Sequence, residues 1–175
     1  MNISEQTGTR RAPALSAALN RLAVILAYCG GVVVALIGMM SAVSIIGRSA
    51  MGRAIIGDFE LVSIGIAVAG SLFLAYCQAT FGNIAVDLFT LKAGERTRDL
   101  LDRFGALLMA VMYFVVGWRT WVGAIDIMRS GETSMLMSVP TWIGYAGMLP
   151  GVFAAGLIAL AQTCGLKVAE RASDE

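Results

Sequence analysis

Histidine is missing from the sequence altogether, and charge is scarce: only 14% of the 175 residues are Asp, Glu, Lys or Arg. The first absence removes bis-His haem ligation, His-ligated zinc and His general bases by inventory. The second sets the chain apart from soluble domains, in which about a quarter of residues are charged. The three cysteines, Cys29, Cys77 and Cys164, each lie in an apolar run without a CxxC partner. They read as buried, unreactive thiols. A net charge of +1 with no basic patch gives nothing to hold nucleic acid. Phosphate-cradling glycine loops, nucleophile elbows and metal-spaced clusters are also missing. The chain does not read as an enzyme, and no cofactor is expected in it.

What fills the sequence is apolar: 58% hydrophobic residues and a mean hydropathy of +0.77. No charge interrupts Leu22 to Gly47, nor Leu61 to Val86. A bilayer is crossed by roughly 20 apolar residues, so each run is long enough. A cleavable signal peptide has a shorter apolar core, so the first run reads as a retained helix. Two further runs follow, the third with a shorter charge-free part from Phe104 to Trp118 and aromatic Trp118 and Trp121 at its far end. The fold predicted is all-α, a polytopic membrane protein of four transmembrane helices. Its domains are a cytoplasmic tail over 1–21, a membrane domain over 22–166 and a tail over 167–175. The spans fall at about 22–47, 61–82, 100–121 and 140–166.

Between the second and third spans, leucines alternate with charges from Asp87 to Arg103. That pattern suits an amphipathic helix at the headgroups, bearing Asp87, Arg96 and Arg98. A solvated loop running into the third span is the other reading. Pro140 suits the first turn of the fourth span, and Pro150 within it should kink the helix.

Small and polar residues recur at three- and four-residue steps and so share helix faces. Such stripes are Ala27, Gly31, Ala35 and Gly38 in the first span, and Ser63, Ala67, Gly70 and Gln78 in the second. Gly144, Gly147 and Gly151 form another in the fourth, with Gln162 on the same side. In lipid such stripes let helix backbones approach closely, and a glutamine can hydrogen-bond across the contact. They are the candidate packing or partner faces.

Nine Lys and Arg (Arg10, Arg11, Arg21, Lys92, Arg96, Arg98, Arg103, Lys167, Arg171) fall in the tails and the central segment. Four (Arg48, Arg53, Arg119, Arg129) fall in the two opposite connections. The bias places both termini in the cytoplasm, N-in and C-in. Charged residues in helix centres mark substrate or proton paths, and here there are none. Arg48, Glu60, Arg129 and Glu132, with Pro140 and Trp142, cluster at the external helix ends as loop or docking candidates. Arg48 and Glu60 flank one connection and could pair there.

From Arg21 to Leu166 the chain resembles the small membrane subunit, of DctQ type, of tripartite ATP-independent periplasmic (TRAP) transporters. The resemblance is carried by Arg48, by GDFELV with Glu60, and by FGNIAVDLF with Gly82, Val86 and Asp87. The last carrier is GETSMLMSVPTW with Gly131, Glu132, Ser134, Pro140 and Trp142. Asn83 stands where relatives commonly have a histidine. The resemblance implies a chain of the bacterial inner membrane that braces a large permease subunit. A periplasmic binding protein would deliver the solute, often a carboxylate. Cation coupling, by sodium, would belong to the large subunit. Alternatives from the residues alone are a generic assembly or anchor subunit and a small four-helix exporter. The exporter would carry a carboxylate deep in its first helix, which the run from Leu22 to Gly47 lacks.

Overall fold

A computed structural model describes residues 12–52, 57–81 and 95–164. Their structure is four α-helices: α1 (Ala12–Met51), α2 (Asp58–Phe81), α3 (Glu95–Ser130) and α4 (Trp142–Thr163). The one β-type pairing among the described residues is an isolated antiparallel bridge, Thr133 with Pro140. All four helices are long and apolar enough to cross a bilayer, over Leu15–Ala50, Asp58–Thr80, Arg103–Ser130 and Trp142–Thr163. The all-α, four-span architecture is therefore present.

Two helices exceed their expected spans. α1 begins at Ala12, so the end of the predicted tail is helical, because Ala and Leu there favour the helix. At 1.5 Å per residue it is about 60 Å long, twice a hydrocarbon core of about 30 Å. α3 does not stop near Trp121 but runs on to Ser130, since Val122, Ile125 and Ile127 continue its apolar pattern, so Arg119 and Arg129, expected in a connection, lie within the helix. It ends where Gly131, at φ +67°, turns left-handed and its amide bonds the Ile127 carbonyl at 3.1 Å, a glycine cap. Of the predicted headgroup helix, Asp87 lies outside the described residues. The part that is described, with Arg96 and Arg98, is the first turns of α3 and not a separate element. Pro140 lies before α4 and not in its first turn, because it pairs with Thr133 instead. Pro150 is accommodated inside α4.

The helices stand side by side in the order α1, α2, α4, α3. α4 packs along both α2 and α3, α1 packs along α2, and α1 only grazes α4. α4 is consequently the most buried span, and α1 and α3 the least. The arrangement is an open row with two broad apolar sides.

Packing within the row relies on small residues, as lipid-embedded contacts do. The core cluster is Ala23, Ala75, Ala79, Ala154, Ala155, Ile158 and Ala161, flanked by Leu19, Leu26 and Tyr113. α1 meets α2 where Gly30 lies against Ala69, Leu72 and Phe73, and where Ile37 fills the space over Gly65. α4 meets α3 where Gly117 faces Phe153 and Gly156 faces Phe114. The Phe114 and Phe153 rings lie 6.3 Å apart at 55°, a tilted pair worth about 0.5–1.5 kcal/mol beyond its burial.

Candidate functional site

The polar side chains of the row concentrate at its two ends. At one end, the start of α2 is built on Gly57, whose carbonyl accepts from the Glu60 and Leu61 amides at 3.1 and 3.2 Å. Glycine is required there twice over. Its φ is +81°, and a Cβ would fall 2.1 Å from Cγ of Met137. Two carboxylates then occupy the first turn, where the helix dipole favours negative charge.

Asp58 faces α1. Its Oδ2 accepts the buried Ser44 hydroxyl at 2.5 Å, and its Oδ1 accepts the Phe59 amide at 2.7 Å. Glu60 faces the connection between α3 and α4. Its Oε1 accepts the Leu136 amide at 3.0 Å; its Oε2 accepts the Met137 amide at 3.2 Å and the Ser134 hydroxyl. The connection is itself a tight hairpin. The Ser134 amide donates to the Val139 carbonyl, Ser138 to Ser134, and Thr141 to Glu132, at 2.9, 3.2 and 3.2 Å. Ser138 takes a left-handed φ of 53° to close it. One turn of α2 thus fastens α1 on one side and the hairpin on the other.

The pair expected between Arg48 and Glu60 is not formed, because the hairpin occupies the Glu60 carboxylate. Arg129 is exposed in the last turn of α3, and Glu132 is exposed on the hairpin stem. Trp142 opens α4, half-covered.

Towards the other end, the Gln78 side chain is buried between helices. Its Nε2 donates to Oε1 of Gln162 at 2.7 Å, and Gln162 returns Nε2 to the Gln78 carbonyl at 2.8 Å. The Tyr113 hydroxyl reaches Oε1 of Gln78 at 3.4 Å. This network ties α2 to α4 and to α3.

The small-residue stripes divide. Gly147 lies against Val68, and Gly151 against the backbone of Ser71, so close that a Cβ would be 2.2 Å from the Ser71 carbonyl oxygen. Among the described residues, Gly31, Gly38 and Gly70 have nothing within 4 Å of where a Cβ would stand. Ala35 and Ser63 are exposed and Ala67 is half-buried. Ser63 bonds back to the Phe59 carbonyl of its own helix at 2.8 Å. Contacts inside the row run instead through Gly30 and Gly65, which the stripe reading passed over. Ala27, Gly31 and Ala35 line an open groove of about 420 Å³ together with Val24, Tyr28, Val32 and Tyr76. The cysteines are free and exposed rather than buried, because the row leaves the faces that carry them uncovered. No group of His, Cys, Asp and Glu able to hold a metal ion occurs among the described residues.

No curated protein and no solved structure matches the chain. Residues 36–167 match the family model of the tripartite ATP-independent periplasmic transporters, DctQ component. The match runs from the middle of α1 past the end of α4 and takes in both carboxylates, the hairpin and the glutamine network. By this match the chain belongs to the DctQ component family of tripartite ATP-independent periplasmic transporters.

Proposed function

We propose that this chain is the bracing subunit of a TRAP transporter: it docks along a large permease subunit and carries no solute itself. One observation carries the reading. Gly31, Gly38 and Gly70 lie on helices built for close approach, yet nothing among the described residues covers them. A small-residue face is of use only against another helix, and the open row leaves that place to a partner.

The sequence supports the second half of the proposal. A coupled carrier binds substrate and ion near the bilayer midplane, and the apolar runs of α1 and α2 carry no charged residue there. Cation binding, by sodium, would then belong to the large subunit, and a periplasmic binding protein would hand over a carboxylate solute. Both termini would be cytoplasmic in the bacterial inner membrane, following the bias of Lys and Arg. The clasp around Asp58 and Glu60 would then face the periplasm.

Reconstitution tests this directly. Vesicles holding the large subunit, this chain and the binding protein should take up solute. Vesicles lacking the large subunit should take up none, and those lacking this chain should be strongly impaired. Uptake without the large subunit, or undiminished uptake without this chain, would overturn the proposal.

A further inference from the structure

The hairpin between α3 and α4 carries its most apolar residues at its tip. Met135 is 98% exposed and Leu136 62%, and Phe59, next to Glu60 in the first turn of α2, is 78% exposed. A tip of this kind in water would expose apolar side chains to no purpose, so its location matters. Two observations fix it.

The first is depth. The Leu136 and Met137 amides bond to Glu60, and Met137 covers Gly57. The tip therefore folds back to the level of the first turn of α2 instead of projecting from the helix ends. The span Asp58–Thr80 has 23 residues, a rise of about 34 Å, against a hydrocarbon core of about 30 Å. Its first turn stands at the boundary between headgroups and acyl chains.

The second is backbone satisfaction. Irregular chain avoids the apolar part of a bilayer because unpaired amides are costly there. At this tip three successive amides are paired within the chain: Leu136 and Met137 on Glu60, and Ser138 on the Ser134 carbonyl. The charges on either side of the hairpin's start, Arg129 in the last turn of α3 and Glu132 on the stem, are exposed.

We propose that the hairpin is a lipid-inserted foot, with Met135 and Leu136 entering the bilayer interface at the level of Phe59 and Glu60 setting the depth. A loop that reached for a soluble partner would extend from the membrane; this one is tied down to it. The inference does not depend on the bracing role.

Site-directed spin labelling tests it on the full chain in vesicles of phosphatidylethanolamine and phosphatidylglycerol, with Cys29, Cys77 and Cys164 replaced by serine. Met135→Cys and Glu132→Cys carry the label, and collisions with oxygen and with a water-soluble nickel chelate are compared. The label at 135 should favour oxygen over nickel several-fold more than the label at 132. Adding Glu60→Gln to Met135→Cys should release the tip and shift the label towards nickel. Equal nickel access at 135 and 132 would overturn lipid insertion, as would shielding from both reagents, which means a protein surface covers the tip. An unchanged label depth with Glu60→Gln would overturn the role given to Glu60.

Discussion

An added Cβ at Gly151 would lie 2.2 Å from the Ser71 carbonyl oxygen, nearer than such atoms approach, so Gly151→Ala must push α4 away from α2. Overpacking of this kind costs about 1–3 kcal/mol. A lower Tm of the purified chain in detergent would register it. Gly31→Ala and Gly38→Leu make the opposite comparison. Nothing among the described residues lies near either position, so both should leave that Tm unchanged while reducing co-purification with the large subunit. Equal losses of Tm at all three positions would mean that the open faces are covered within the chain. Glu60 offers a residue-level test of another kind. Glu60→Gln preserves size but removes the charge that receives two amides and a hydroxyl. Hydrogen exchange at Leu136 and Met137 should accelerate while the α4 amides stay protected.

At the scale of elements, Gln78 and Gln162 exchange two hydrogen bonds across α2 and α4. Contacts of this class in membranes average about 0.6 kcal/mol. Gln78→Leu leaves the Gln162 Oε1 without its donor, whereas removing both side chains leaves only the Tyr113 hydroxyl, held at 3.4 Å, without its partner. The double variant Gln78→Leu with Gln162→Leu should therefore cost less than the two single variants added together, as measured by unfolding in mixed micelles. Helix existence was legible in the sequence, because runs such as Leu22 to Gly47 admit little else. Helix faces were less so. Small residues occupy several sides of α1 and α2, and period alone cannot say that Gly30 and not Gly31 meets a neighbour. The α2 and α4 side was readable where Gln78, Gly147 and Gly151 coincided on real contacts. Both carboxylates were visible as a pair at a helix mouth. Their partners were not, since Glu60 is held chiefly by backbone amides, and every sequence supplies those.

The whole molecule is a row whose order in space, α1, α2, α4, α3, differs from its order along the chain. The last helix made is the one that separates the second from the third. During synthesis, α1 and α2 can pair as soon as both have left the ribosome, since Gly30 and Gly65 already meet their neighbours. α3 has little such early company, because apart from Tyr113 reaching Gln78 its packing rests on α4. It must wait in the membrane, apolar on its exposed sides, until residues 142–163 insert beside α2 and capture it. A chain truncated after Ser138 should thus keep the first two helices paired but leave the third open to membrane proteases. Pulse-labelled chains of increasing length would show resistance at α3 arising only once α4 is complete.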